Sequence, residues 1–368
     1  MPEVSVVMPV RNAAPFLAPA LRSILEQTGV KFELIAVDDG SSDGSSAILA
    51  DFAASHGNMH VIPGEGRGIS RALNRGIAAA SAPLVARMDA DDIALPGRVA
   101  RQCAHLAAHP DLGVLGTQAQ AIDEAGRPTR RMHVPVGPGR VRRALDISSA
   151  LIHPSVMMRR QLLLAAGGYR PAFDGAEDYD LWLRLADATQ IDNLPDTLLL
   201  YRRHGSQAST ARRFRQARLA ALAYALATSD LAGAGLDTEL SAAELRKRFL
   251  ASSPDAARRL RRLVATRLAD NGGSTSMRGG RYFRAVLARA GDGAEPSLRR
   301  RLALAAVRHE LHLARAGRPA EAAASLLRDL LQWRTGLLAA YLQHGAIVWT
   351  SRRAGGRSGT AAPPCGDA

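Results

Sequence analysis

Short runs of apolar and β-branched residues alternate with amphipathic stretches through the first 120 residues of the chain. The runs at 4–10, 32–37, 59–62 and 84–88 have the composition of buried strands, and the stretches between them repeat apolar residues at helical spacing. One such helix is predicted over 69–80, and Pro96 is expected to open the next. This alternation predicts a doubly wound α/β sheet, in which ligands gather outside the carboxyl ends of the strands.

Composition excludes several classes of protein. The chain has 368 residues, of which 47% are apolar and 22% charged, so a disordered chain or a coiled-coil fibre is not expected. Two cysteines, Cys103 and Cys365, are too few for a disulfide framework and suit a reducing compartment. The start has no signal-peptide pattern, and the apolar stretch 337–349 is shorter than the ~20 residues of a membrane span. We expect a cytoplasmic protein that binds at most peripherally at the inner face of a membrane.

The basic charge lies in the C-terminal part of the sequence. Residues 1–210 carry 21 Lys and Arg against 22 Asp and Glu, whereas residues 211–368 carry 27 against 12. Nearly all of these cations are Arg, so a functional basic face and a GC-rich genome are both open explanations. The sequence predicts an α/β domain over 1–210, an Arg/Ala-rich helical region over 211–350 and a disordered tail over 351–368.

Polar residues follow three of the predicted strands. The first strand ends near Arg11 and Asn12, the second runs into the acidic stretch 38–43, and the fourth into 89–92. Carboxylates crowded at one sheet edge repel one another unless a cation or hydrogen-bond donors compensate them. The pattern therefore predicts a divalent metal or a polar ligand at this edge, although Asp91 or Asp92 could instead cap the following helix.

Four motifs in this order resemble those of the family 2 glycosyltransferases. They read SVVMPVRN at 5–12, VDDGSSD at 37–43, RMDADD at 87–92, and GGY at 167–169 followed by AEDYDLWLR at 176–184. The similarity extends over residues 3–209. It implies a GT-A fold, a mixed sheet flanked by helices, over 1–210. It also implies inverting transfer from a nucleotide-diphosphate sugar to a saccharide or lipid-linked acceptor, in cell-surface polysaccharide or glycoconjugate synthesis.

The resemblance also assigns donor-side residues. Asp91 is expected to bind a divalent metal, Mg²⁺ or Mn²⁺, while Asp89 contacts the ion or the ribose. Asp39 is expected to accept from the N3–H of uracil, which favours a UDP-sugar, although the same residue suits a tight turn. Pro9 and Arg11 are assigned to the same donor site.

Two further segments resemble parts of the family's donor site. Glycines at 64, 66 and 68 precede a helix, an arrangement suited to anions, but position 69 is Ile and the dinucleotide fingerprint is not met. Arg71 is expected to contact the diphosphate and Asn74 to brace the loop, with a plain helix start as the alternative. By the same resemblance, Arg202 offsets diphosphate charge and His204 completes the metal site or contacts a phosphate oxygen.

An inverting transfer needs a base near the acceptor hydroxyl, on the face of the sugar opposite the diphosphate. The resemblance makes Asp178 this base, with Glu177 as the fallback. Asp180 is expected to support the helix N-terminus. His153 is a further candidate for the acceptor side.

Three other functions would each account for part of this sequence pattern. A sugar nucleotidyltransferase shares the layout, but the loop after the first strand lacks the expected Lys. A nucleic-acid binder would use the basic region, which has few aromatics and no binding motif. An anionic membrane surface bound through 211–350 is a third use of the charge. His105 and His109 stand one helical turn apart but lack a carboxylate or thiol partner, and the pair His309/His312 misses the zinc-protease spacing, so neither is expected to bind a metal.

Overall fold

A computed structural model describes residues 1–204, 213–229 and 240–253, together with 255–256, 260 and 263–264. Residues up to Val264 form one compact unit. Most of the predicted helical region, and the whole of the predicted tail at 351–368, lie outside the described residues.

The described residues contain nine strands and nine α-helices. The strands are β1 (Val4–Val10), β2 (Phe32–Asp38), β3 (Met59–Pro63), β4 (Leu84–Arg87), β5 (Ile93–Ala94), β6 (Leu112–Ile122), β7 (Pro128–Met132), β8 (Met157–Arg159) and β9 (Gln190–Arg202). The helices are α1 (Ala14–Leu25), α2 (Ser45–Ser55), α3 (Ile69–Ala79), α4 (Arg98–Ala108), α5 (Pro138–Leu145), α6 (Arg160–Ala165), α7 (Glu177–Leu185), α8 (Arg213–Ala227) and α9 (Ala242–Ala251).

All nine strands belong to one mixed sheet. Its order is β3-β2-β1-β4-β8-β6-β9-β5, and β7 pairs with β6 outside this path. Strands β1 to β4 run parallel, whereas β8 is antiparallel to both of its neighbours. The structure confirms the predicted mixed α/β fold of the GT-A type.

The first half of the sheet follows the sequence pattern closely. Strand β1 is buried along nearly its whole length, as expected for a central parallel strand. Helix α1 buries Leu17, Leu21 and Ile24 on the face that its apolar spacing predicts. The four predicted strands agree with β1 to β4 to within one residue at each end.

One predicted boundary is wrong. Helix α4 begins at Arg98 after Gly97, whose φ of 77° is left-handed, and not at Pro96. The residues just before it form β5, which pairs antiparallel with β9. The acidic residues at 89–92 are therefore followed by a strand, and they do not cap a helix. A tertiary pairing with a distant strand decides this segment, and local propensity does not reveal it.

Two helices follow residue 210. Helix α8 packs against α7 and buries Leu222 and Leu226. Helix α9 starts with a capping box in which Ser241 and Glu244 satisfy each other's backbone N–H. Both helices lie where the sequence predicts helices. None of the helices in the described part of the chain combines the length and the hydropathy of a membrane span.

Candidate functional site

The sheet brings the predicted strand-end loops to one edge. In the parallel register Val10 lies opposite Asp38, and Val7 lies opposite Arg87. The loops after β1, β2 and β4 therefore start side by side. Pro9 lies in β1 beyond the last residue paired with β4, so its missing N–H breaks no ladder bond on that side.

Asp39 is buried and organises the loop after β3. Its Oδ1 accepts from the Gly66 N–H at 2.7 Å and its Oδ2 from the Gly68 N–H at 3.1 Å. The Arg11 Nη1 lies 3.7 Å from Oδ2 and donates to the Gly66 carbonyl at 3.3 Å. A side chain at Gly64 would place Cβ 2.7 Å from Asp39 Cα, so only glycine fits there. Asp39 thus joins the loop after β2 to the loop after β3, while each carboxylate oxygen keeps acceptor capacity for a ligand.

The N-terminus of α3 is capped from a distant loop. The Asp174 carboxylate accepts from the Ser70 backbone N–H at 3.2 Å and from its hydroxyl at 2.5 Å. An acidic side chain of the protein therefore already satisfies that N–H, and the expected contact of this helix start with an anion stays a prediction. Arg71 lies in the first turn of the same helix.

Asn74 braces a different segment from the one expected. Its amide donates to the Tyr169 carbonyl at 2.7 Å and accepts from the Tyr169 N–H at 2.8 Å. A Cβ on Gly168 would lie only 2.5 Å from Asn74 Oδ1, and Gly168 has a φ of +67°, so a side chain is disfavoured there. The Gly-Gly-Tyr segment is thereby fixed against α3.

Three carboxylates meet in the loop after β4. Ligand atoms of Asp89, Asp91 and Asp92 all lie within 4.8 Å of one another. Asp89 forms a bidentate pair with Arg87, at 2.7 and 2.6 Å. Asp91 Oδ2 lies 2.9 Å from His204 Nε2. The structure therefore brings together the metal ligands that the resemblance assigns.

Asp92 is the most buried member of this acidic triad. Its Oδ1 accepts from the Arg202 backbone N–H at 2.8 Å, while its Oδ2 is buried and has no hydrogen-bond partner among the described residues. Burial, and then the charges of Asp89 and Asp91, raise the pKa of Asp92 well above its ordinary value. Burial also raises the pKa of Asp89, although Arg87 opposes the shift.

The triad has the donor chemistry of a divalent metal site. Carboxylate oxygens with one imidazole suit Mn²⁺ or Mg²⁺. A cation would offset the charge repulsion that adds to burial in raising the pKa values of Asp89 and Asp92. The buried Asp92 oxygen is a further unused acceptor at this place. The residues present therefore fit the metal that the resemblance implies.

Arg202 is committed to the backbone around the triad. Its guanidinium donates to the carbonyls of Asp91, Asp123 and Glu124 at 2.9 to 3.2 Å. It also stacks on the ring of Phe16, 5.0 Å from the centroid. The Phe16 ring lies 4.7 Å from that of His204, a contact that no sequence signal indicates. The role of Arg202 toward a diphosphate stays a prediction.

Glu177 and Asp178 open α7 in different environments. Glu177 is 7% exposed and accepts from the Gly175 N–H at 2.6 Å. Burial, and then the neighbouring Asp178 charge, raise the pKa of Glu177 to about 7. Asp178 is half-buried, accepts from the Ser149 hydroxyl at 3.3 Å, and has its pKa raised by burial. Asp178 is the more accessible of the two carboxylates.

His153 lies behind this pair. Its Nε2 is 2.9 Å from the Tyr169 hydroxyl, and its Nδ1 is 3.8 Å from Glu177 Oε1. Burial, and then the Arg87 charge, lower the pKa of His153 well below its ordinary value, so the ring is neutral at pH 7. Asp180 lies in the first turn of α7, as expected, and it is also buried in ion pairs with Arg170 and Arg184.

Arg87 connects the two carboxylate groups electrostatically. It is 3% exposed, and its charge interacts with Asp89 on one side and with Tyr169 and Glu177 on the other. The sequence motifs alone predict no role for Arg87. The available signal was a cation at the end of a short, otherwise apolar strand, where an unpaired charge would be costly.

Relatives of known sequence match the N-terminal part of the chain. The family model of Glycosyl transferase family 2 matches residues 5–165. The O-antigen biosynthesis glycosyltransferase WbnJ of Escherichia coli is 31% identical over 205 residues, which cover 55% of this chain and 80% of WbnJ. The amylovoran biosynthesis glycosyltransferase AmsE of Erwinia amylovora is 31% identical over 188 residues, covering 50% of this chain and 70% of AmsE.

Solved structures share the fold. TarS residues 1–349 of S. aureus, in complex with UDP-GlcNAc, superpose with a TM-score of 0.57 at 18% identity, covering 93% of this chain and 92% of that one. The mannosyltransferase PcManGT of Pyrobaculum calidifontis, in complex with GDP-Man and Mn²⁺, gives 0.50 at 20% identity, covering 91% and 88%. These likenesses agree with the mixed sheet described above.

Proposed function

The chain belongs to glycosyltransferase family 2, and we propose that it transfers a sugar from a nucleoside diphosphate sugar to a hydroxyl of a saccharide or lipid-linked acceptor. The observation that carries this proposal is the acidic triad, held at the sheet edge by Arg87, His204 and the Arg202 backbone. WbnJ and AmsE are named for O-antigen and amylovoran synthesis, which supports a role in making a cell-surface polysaccharide.

The donor nucleotide is placed at the loops after β1 and β2. Asp39 is held by two backbone N–H groups and retains lone pairs for the imide N–H of a uracil ring. Arg11 lies beside it with an exposed guanidinium. We favour a UDP-sugar on the family resemblance of Asp39. The similar structures include complexes with UDP-GlcNAc and with GDP-Man, so the donor screen must contain both bases.

A divalent cation, Mg²⁺ or Mn²⁺, would be held by Asp91 and His204, with Asp89 and Asp92 beside them. Such an ion, when bound, neutralises charge on a departing diphosphate. The protein's own contribution is to fix these side chains. Arg87 orients Asp89. The Arg202 guanidinium donates to the Asp91 carbonyl and so holds the backbone of Asp91 in place.

Asp178 is proposed as the general base. It takes the proton from the acceptor hydroxyl as that oxygen bonds to the anomeric carbon, while the bond from this carbon to the diphosphate oxygen breaks. The nucleoside diphosphate leaves with the bonding electron pair, so the anomeric configuration inverts. Glu177 is less exposed than Asp178 and binds the Gly175 N–H, which suits a supporting role.

A ligand screen followed by a product analysis tests this proposal. Nucleotide sugars that bind the folded state should raise the melting temperature, and more so with Mn²⁺. Asp91→Asn should abolish the part of this rise in melting temperature that depends on Mn²⁺, whereas Asp51→Asn, at an exposed position, should retain it. For the donor that binds, NMR of the product should show inversion at the anomeric carbon. Retention of configuration, or stabilisation by no nucleotide sugar, would contradict the proposal.

The expectation of an anionic membrane surface bound through 211–350 stays a prediction, since most of that region lies outside the described residues. Nucleic acid is not expected as a partner, and this expectation also stays a prediction.

A further inference from the structure

A run of unbalanced positive charge lies within the described α/β fold. Between Glu124 and Asp146 the sequence has no acidic residue, and it contains His133 and six exposed arginines: Arg127, Arg130, Arg131, Arg140, Arg142 and Arg143. The rest of residues 1–204 carries 15 basic against 22 acidic residues. Three of the six, Arg140, Arg142 and Arg143, lie on α5, and we call the exposed side of this helix the arginine surface.

Four of the six arginines form no ion pair within the described residues. Arg127 pairs with Asp123 at 2.9 Å, and Arg142 pairs with Asp187 at 3.1 Å. Within the described residues the other four have no hydrogen bond or ion pair to a carboxylate. By contrast, buried arginines elsewhere, such as Arg87 and Arg170, are paired. Exposed unpaired cations at this density favour an anionic partner.

Helix α5 adds an apolar element to the charge. The chain continues in helical turns beyond α5, since the Ile147 and Ser148 N–H groups both donate to the Ala144 carbonyl. Arg140, Arg143 and Ile147 then follow at spacings of three and four residues, which places them on one face. Val141 and Leu145 are buried, so that face points away from the core. Ile147 is a large apolar residue that remains 43% exposed.

This face is connected to the proposed base. The Tyr179 hydroxyl of α7 donates to the Leu145 carbonyl at 2.5 Å, at the end of α5. Four residues later, the Ser149 hydroxyl donates to Asp178 at 3.3 Å. A surface bound along α5 is therefore held next to the side of the molecule that carries Asp178.

We propose that the arginine surface docks on an anionic phospholipid bilayer, with Ile147 entering the interface between the headgroups and the acyl chains. Arginine guanidinium groups pair with lipid phosphates, and an exposed aliphatic side chain beside them suits the headgroup boundary. Residues 125–147 contain no Phe, Tyr or Trp on which nucleobases could stack, which disfavours single-stranded nucleic acid. The docking does not depend on the transferase reaction, and it is distinct from the charge at 211–368.

Vesicle co-sedimentation of the full chain tests the proposal without substrates. The probe is phosphatidylcholine vesicles containing about 30% phosphatidylglycerol, an anionic fraction that attracts basic protein surfaces. The triple variant Arg140→Gln/Arg142→Gln/Arg143→Gln should bind at least about tenfold more weakly than wild type, since each cation near such a surface contributes appreciably. The control Arg22→Gln/Arg75→Gln/Arg101→Gln removes the same charge from exposed positions elsewhere and should bind like wild type.

Two further arms separate the alternatives. Ile147→Ser should weaken binding at high salt, where charge attraction is screened and apolar insertion remains. Circular dichroism melting of each variant confirms that it folds. Equal vesicle binding by the two triple variants would overturn the proposal. Heparin is a second probe. If the triple variant of the arginine surface loses heparin binding but keeps vesicle binding, the proposal is overturned in favour of a polyanionic polymer.

Discussion

His204 Nε2 lies 2.9 Å from Asp91 Oδ2, although 113 residues separate them in the sequence. The pairing of β5 with β9 creates this proximity, because it carries the end of β9 to the loop after β4. The backbone N–H of Arg202, two residues before His204, donates to Asp92 and holds the end of β9 against the same loop. The metal side of the site is therefore built by tertiary strand pairing and not by a local motif.

Removal of either partner should weaken metal binding. We expect His204→Ala and Asp91→Asn each to lower Mn²⁺ affinity by at least about tenfold, since the loss of residues that merely orient a metal ligand already costs that much. Isothermal titration with MnCl₂ measures it, and His109→Ala, at an exposed histidine outside the site, is the control. Wild-type Mn²⁺ affinity in both variants would contradict the assigned ligands.

The buried Glu177 should make stability depend on pH. Folding raises its pKa from 4.5 to about 7, so the folded state binds the proton more tightly than the unfolded state. The free energy of unfolding should thus fall as pH rises from about 4.5 to 7 and level off above, with a contribution on the order of 3 kcal/mol. In urea denaturation at several pH values, Glu177→Gln should flatten this fall. The exposed control Glu124→Gln should leave the fall unchanged. An unchanged slope in Glu177→Gln would contradict a raised pKa at Glu177.

Arg87 should tune the base while holding Asp89. Its charge lowers the pKa values of Glu177 and Asp178, against the larger effect of burial. Arg87→Met should therefore move the acid limb of the kcat/KM profile to higher pH. It should also destabilise the fold by on the order of 3 kcal/mol, because Asp89 loses its buried partner. Arg87→Lys keeps the charge and should shift the limb less, so equal shifts in the two variants would argue against this electrostatic role.

Gly68 should tolerate no side chain. It has a φ of +108°, and a Cβ there would collide with Asp174 Oδ2. Gly68→Ala should cost about 1–3 kcal/mol of unfolding free energy, since both strain and a displaced helix cap result. Gly57→Ala, at a position with open space and no positive φ, should be nearly neutral in the same urea titration. Equal stability of the two variants would show that the Asp174 cap is not rigid.

Local pattern was sufficient to predict the first four strands and their edge. Buried parallel strands read as continuous apolar runs, and the polar ends of β1, β2 and β4 mark the ligand side. Asp39, Asp89 and Asp91 were found in this way, with the resemblance adding their roles. The family resemblance also located Asp178 and His204.

Features that depend on distant partners were not predictable. The Asp174 cap on α3 joins residues about a hundred positions apart, and no periodicity reports it. The same holds for Asn74 on Tyr169 and for Phe16 beside His204. The sequence indicates that Asp180 lies near a helix start, but it does not reveal the ion pair of Asp180 with Arg170. The role of Arg87 required knowing that both carboxylate groups surround it.

The most direct test is transfer by Asp178→Asn, with donor binding measured in the same preparation. Asparagine keeps the size of the side chain and removes its basicity, so we expect turnover to fall by on the order of 10²- to 10⁴-fold. The Kd for the donor and Mn²⁺ should stay within about twofold, and Glu177→Gln should lose far less turnover. Turnover by Asp178→Asn within a few-fold of wild type would contradict a base at this position.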